Sequence, residues 1–279
     1  MTTTTRITPA GWLLTAAAWL AVALMLILPV GVLFGQALRE GLQAALATLS
    51  DPDSLAAIRL SLLVTAIVLP VNAACGFLAA FALTRFDFPG RALLLVLIEL
   101  PLSVSPVVAG LVWVLLFGRH GWFGPWLTAH GIRLVFTLPG ILLATLFVTF
   151  PYVTRTVMPA MEARGRAQEE AATMLGAGFL PILFRVTLPE AGAALLSGTL
   201  LCAARALGEF GAVSVASGHV PGLTETVPLR IQALYDGYET TAAFTLAALL
   251  AIASGLLVGV RGVMEWRRGG TGSARVDAT

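Results

Sequence analysis

Long uncharged stretches alternate along this chain with short charged connectors. Counted from charge to charge, they hold 32 residues between Arg6 and Arg39, 25 between Arg59 and Arg85, 19 between Glu99 and Arg119, 21 between Arg133 and Arg155, and 21 between Glu239 and Arg261. A hydrocarbon core about 30 Å thick takes about 20 apolar residues per helical crossing, so each stretch predicts one crossing. Two shorter stretches, 14 residues from Glu190 to Arg205 and 15 from Glu209 to Glu225, predict a single helix carrying two buried charges. The expectation is six crossings, centred near Val22, Val71, Val108, Leu146, Leu201 and Leu250. Only helices satisfy every backbone group in lipid at this length, so the predicted fold class is all-α, a polytopic membrane helix bundle of six transmembrane helices. A first helix over 11–38 precedes a core of five over 59–262, flanked by a Thr-rich start at 1–10 and a Gly/Ser/Arg-rich tail at 263–279, both read as disordered.

Small residues at Ala45 and Ala47 follow the first stretch, as at a signal cleavage site, but signal cores run about 7 to 15 residues and this run is 32, so a retained helix is expected. Composition points the same way: 58% of the 279 residues are hydrophobic and 11% charged, where a soluble domain carries about 25% charged residues. Basic residues are retained on the cytoplasmic side. With the N-terminus inside, eleven arginines (6, 85, 91, 155, 164, 166, 185, 261, 267, 268 and 275) fall in inner segments and five (39, 59, 119, 133 and 230) in outer ones. The expectation is therefore a membrane crossed several times, with both termini cytoplasmic and the longest inner loop at 155–190. Membrane lipid accounts for the apolar surface, and the net charge of +2 implies no nucleic-acid partner.

Candidate chemistry is sparse. Cys75 and Cys202 fall inside predicted crossings and His120, His130 and His219 in outer loops, without metal-ligand spacing. Every basic residue is Arg. Without lysine there is neither a phosphate-binding P-loop nor a Schiff base. No Gly-x-Ser-x-Gly, His-Glu-x-x-His or Cys-x-x-Cys occurs, so no catalytic residue and no cofactor bound by this chain are expected. Uphill transport would need a gradient or another subunit.

The 155–190 loop is the most legible segment. Glu169, Glu170, Ala171 and Ala172 suit the opening turn of a short helix, where carboxylates meet the positive end of the macrodipole. Gly176 and Gly178 break it, and Pro189 suits the first turn of the next helix. An amphipathic loop on the membrane surface, with Leu175, Phe179, Leu180, Ile182 and Leu183 in the headgroups, fits the pattern equally well. The spacing is more specific: Glu170-Ala171-Ala172, three residues, Gly176, nine residues, Val186-x-Leu188-Pro189. It resembles the EAA signature of ABC importer permeases, departing only in Val186 for Ile. The resemblance implies a MetI-like permease fold in a bacterial inner membrane, its loop seated in a cleft of a cytoplasmic ATPase. Leu83 to Arg91 (Leu-Thr-Arg-Phe-Asp-Phe-Pro-Gly-Arg), Ser105 to Leu111 and Ala204 to Val215 (Ala-Arg-Ala-Leu-Gly-Glu-Phe-Gly-Ala-Val-Ser-Val) resemble the W-type permease subunits of sulfate/thiosulfate importers, over essentially residues 11 to 268. That likeness implies four kinds of partner: a cytoplasmic ABC ATPase dimer using ATP and Mg, a second T-type sulfate permease subunit forming a heterodimer, a periplasmic sulfate/thiosulfate-binding protein, and lipid. Molybdate or tungstate permeases are the nearer alternative; a gradient-driven secondary carrier is the more distant one, and no internal repeat of the kind common in carriers is found.

Arg205 and Glu209 are the costliest residues to place, since a lone Arg at mid-helix costs roughly 2.5 to 3.5 kcal/mol on the insertion scale. Four residues apart, they share a helix face. A structural ion pair and a place beside the translocation path both fit. Glu99, followed by Pro101 and Pro106, marks a broken third helix, which is tolerated where neighbours or water satisfy the freed backbone. Ser103 and Ser105 there offer hydroxyls to an oxyanion, so Arg205, Glu209, Glu99, Ser103 and Ser105 are the candidates for path or gate.

Overall fold

The computed structural model describes residues 9–273, with side chains from 11 to 267. The chain runs through helices α1 (Pro9–Ala37), α2 (Leu42–Ser50), α3 (Pro52–Arg85), α4 (Arg91–Ser103), α5 (Pro106–Phe117), α6 (Gly124–Ala129), α7 (Leu138–Arg164), α8 (Ala167–Met174), α9 (Phe179–Ile182), a π-helical turn (Leu183–Thr187), α10 (Leu188–Leu207), α11 (Gly211–Ala216), α12 (Val227–Asp236) and α13 (Thr240–Ser273). No strand occurs among the described residues. Five helical stretches are long and apolar enough to cross a membrane; α4 and α5, bent by 110° at the break between them, add a sixth only if the pair counts as one span. At 1.5 Å per residue the halves of that pair rise only about 20 and 18 Å, so neither spans the hydrocarbon core alone.

The chain divides into two compact units. One comprises residues 1–51 and 231–249. Within it, α1 exposes Trp12, Trp19, Met25 and most of its leucines, a surface that is favourable against lipid and not against water. Polar ties also hold this unit: the Thr241 hydroxyl donates to Glu40 Oε1 at 2.6 Å, and the Thr245 hydroxyl to the carbonyl of Ala37 at 3.3 Å.

The other unit comprises residues 52–230 and 250–279, and α7 is its central helix, packed against α3, α4, α5, α10 and α11. Val64, Val68, Ile141, Ala206, Val213 and Leu229 form one buried apolar cluster; Phe77, Ala80, Phe81, Val153, Val157, Met161 and Leu183 contribute to another. Between the clusters, buried Asn72 of α3 donates to Thr149 Oγ1 at 2.8 Å and to the Leu146 carbonyl at 3.4 Å. Small and hydroxylated residues let helices approach and bond across each other where apolar contact alone gains nothing over lipid.

Four sequence expectations change. The uncharged stretches put crossing ends at Arg59 and Arg155, but α3 already begins at Pro52 and α7 continues to Arg164, so the core starts before 59 and the long loop begins at Gly165 rather than at 155. A charged residue need not end a crossing, because the Arg stem is apolar and its head reaches sideways to water or a partner. The single helix expected across Arg205 and Glu209 is two helices, interrupted at Gly208–Phe210. The disorder expected at 1–10 and 263–279 meets α1 from Pro9 and α13 as far as Ser273; the rest of both segments lies outside the described residues.

Candidate functional site: a helical elbow and charges within the bundle

The segment after α7 folds as an elbow. Gly165 leaves the helix with φ +71° and α8 follows, with Glu169 and Glu170 in its first turn. Gly176 turns the chain with φ +84° and open space where a Cβ would stand, a backbone shape that costs an L-residue about 1–2 kcal/mol. From Phe179 the helix runs through the π turn into α10 without a gap, and Pro189 sits in the first turn of α10.

The two glutamates of this elbow point to different surroundings. Glu170 is exposed, together with Ala171. Glu169 turns inward, where Arg85 Nε, at the end of α3, lies 2.8 Å from its Oε2 and 3.0 Å from its Oε1. The Thr187 hydroxyl donates to the same Oε1 at 2.8 Å. Gly176, Val186, Leu188 and Pro189 lie along the elbow in the expected order, with Val186 and Leu188 half-buried. Of the residues expected in headgroups, Leu183 is instead buried in the core, whereas Leu175 at the tip of α8 is 89% exposed, beside Met174 at 90%.

Deeper in the bundle, Arg205 Nη1 and Glu209 Oε2 stand 2.7 Å apart, with side-chain exposures of 30% and 1%. Glu209 Oε1 also accepts the Ala212 amide at 2.9 Å. One carboxylate thus satisfies an opening N–H of α11 and neutralises an arginine, and this is what allows the chain to break there. The break packs on the other one: a Cβ at Gly211 would stand 2.8 Å from Pro106 Cβ, and one at Gly110 would stand 2.5 Å from the Ala212 carbonyl oxygen. The structure therefore brings the α10/α11 interruption against the α4/α5 bend, where Ser103 and Ser105 are exposed. Glu99 of α4 pairs with Arg155 of α7 at 3.8 Å. Arg155 lies nine residues before the end of α7, about 14 Å along the helix, and sequence reasoning had assigned it to the inner loop.

Arg85 and Thr187 also escaped the sequence reading; the only signal for Arg85 was its place in the Leu83–Arg91 run. Outside the crossings, Arg230 lies 3.6 Å from Glu225 and 3.6 Å from Asp53. Burial pushes the Glu225 carboxyl up, with Asp53 adding to this and Arg230 and His219 opposing it. Among the described residues no group of His, Cys, Asp and Glu is arranged to hold a metal ion.

Five long apolar helices and one bent pair, with charges placed at two helix breaks and a folded elbow beside them, describe a multi-pass membrane protein. Residues 72–263 match the family described as binding-protein-dependent transport system inner membrane component. The sulfate transport system permease protein CysW of Escherichia coli strain K12 is 44% identical over 256 residues, covering 92% of this chain and 88% of that protein. The Synechococcus elongatus CysW is 46% identical over 250 residues, covering 90% and 87%. The E. coli CysT protein of the same transport system is 36% identical over 253 residues, covering 91% of each. A solved structure of a bacterial alginate ABC transporter in complex with an alginate pentasaccharide-bound periplasmic protein matches with a TM-score of 0.75 at 17% identity, over 92% of this chain and 94% of that one. The chain belongs to the inner-membrane components of binding-protein-dependent transport systems, as a permease subunit of the CysW type. It is a transporter subunit and not an enzyme.

Proposed function

We propose that this chain is one of two permease subunits in an ATP-driven sulfate importer. The observation that carries this is the similarity to CysW permeases across nine-tenths of the chain, joined to an elbow whose Glu170, Ala171, Met174 and Leu175 face outward. The elbow docks in a cleft of a cytoplasmic ATPase dimer, which holds the ATP and Mg that this chain has no lysine to bind. A T-type permease completes the path, since the chain is similar to CysT as well as to CysW, and a periplasmic binding protein delivers sulfate or thiosulfate. Both termini are cytoplasmic.

An anion fits the charge pattern. From residue 100 to 161 the sequence has no acidic residue, and a groove beyond α5 is lined by Arg119, His120 and Arg133. The bend at Ser103 and Ser105, with Glu99 and Arg155 alongside, borders the path, while the Arg205–Glu209 pair holds the α10/α11 break that packs against it.

Uptake of radiolabelled sulfate into proteoliposomes containing both permeases and the ATPase, with binding protein outside the permease's outer face, tests this. Uptake should require ATP and continue after a protonophore. Uptake that needs a proton gradient and no ATP would make the protein a secondary carrier, and uptake of molybdate in preference to sulfate would change the substrate.

A further inference from the structure

We propose that Arg85 is the positioning residue that joins the elbow to the membrane core, gripping Glu169 so that α8 moves together with the ends of α3 and α7 and the turn before α10. The proposal rests on the reading of this segment as the ATPase contact. None of the residues of α8 is buried, and an isolated helix of eight residues is marginal in water. Apolar packing therefore cannot fix α8 against a force; polar attachment must.

The attachment is one node. Arg85 Nε holds the Glu169 carboxylate, while Nη2 donates to the Gly165 carbonyl at 2.9 Å and Nη1 to the Met161 carbonyl at 3.4 Å. A single guanidinium fork thus ties the last residue of α3 to the end of α7 and the first turn of α8. Thr187 adds the π turn through Glu169 Oε1, and Arg166 Nη2 donates back to the Thr84 carbonyl at 2.8 Å. The ion-paired side chains are 7% and 14% exposed, so losing either partner leaves a shielded charge uncompensated. The arm beyond Gly176 has a different anchor, the rings of Phe179 and Phe81 packed edge to face with centroids 5.9 Å apart. With both arms fixed, a push at the exposed tip is delivered to α3, α7 and α10 together.

The test uses the intact transporter in proteoliposomes, measuring ATP hydrolysed and radiolabelled sulfate imported in the same sample, with ATPase content determined by gel. Arg85→Gln and Glu169→Gln should assemble with normal ATPase content and hydrolyse ATP, yet import several-fold less sulfate per ATP. The double variant should be no worse than either single, because the two residues act as a unit. Arg85→Lys, which keeps the charge and loses the fork, should recover part of the ratio. An unchanged ratio in the assembled single variants, or losses that add in the double, would overturn the proposal. If the glutamine variants do not assemble, Thr187→Val removes one hydroxyl from the node and should lower the ratio by a smaller factor; no change there overturns the proposal equally. Failure of the functional reading itself is seen on the unmodified transporter alone, as sulfate uptake that does not need ATP.

Discussion

At the scale of single residues, the charges inside the bundle divide by what holds them. Glu209 is almost wholly buried and has two obligations, Arg205 at 2.7 Å and the Ala212 amide at 2.9 Å. Glu209→Ala abandons both, and breaking a buried pair costs about 3–5 kcal/mol. Glu209→Gln keeps one acceptor for the Ala212 amide and loses both the charge and the acceptor facing Arg205, so it should be the milder of the two by about 1 kcal/mol, the usual value of a helix cap. Thermal unfolding of the purified permease pair in detergent measures the difference; equal midpoints for the two variants would remove the capping role. The four-residue spacing of this pair was legible in the sequence, and so was its cost. Its purpose was not, because the amide it caps exists only once the helix has broken at Gly208. Arg155 was misplaced for a related reason: a charge counts as an end in a hydropathy reading, yet beside Glu99 it is tolerated well inside α7.

At the scale of elements, glycine and proline positions told most of what the sequence could tell. Pro101 and Pro106 announced the α4/α5 break, and Glu169, Gly176 and Pro189 announced the elbow in its observed order. The direction each half takes afterwards depends on close approaches such as Gly211 on Pro106, which no local pattern encodes. Gly176 allows a direct test. Its φ of +84° in open space makes any penalty conformational and not steric. Asn enters the left-handed region far more readily than a β-branched residue, so Gly176→Asn should retain more sulfate import per ATP than Gly176→Val. Gly176→Asp, which adds a charge at the docking surface, should stay in the membrane and uncouple hydrolysis from transport. Immunoblots of the membrane fraction and the coupled assay read both quantities; normal import by Gly176→Val would show that the turn does not depend on glycine.

At the scale of the whole chain, the proposed orientation rests on the distribution of arginine. Setting aside Arg59, Arg155 and Arg261, which lie well inside α3, α7 and α13, leaves nine inner against four outer arginines, the same bias as eleven against five. In the proposed orientation the elbow, with its exposed Met174 and Leu175, lies in the cytoplasm and the Arg119–Arg133 connector outside. Single cysteines in a background carrying Cys75→Ala and Cys202→Ala decide the matter with a membrane-impermeant maleimide. His120→Cys should be labelled in intact spheroplasts, and Met174→Cys only in inverted vesicles; the reverse pattern would invert the topology and remove the elbow from any cytoplasmic partner. The second label also reads docking. Met174 is 90% exposed in this chain by itself, and an ATPase docked on the elbow as proposed would cover it. When the ATPase is co-expressed, labelling of Met174→Cys in inverted vesicles should fall sharply while that of a cysteine at Arg267 should not. Equal labelling of Met174→Cys with and without the ATPase would place the contact elsewhere on the inner face, even if sulfate uptake remained ATP-driven.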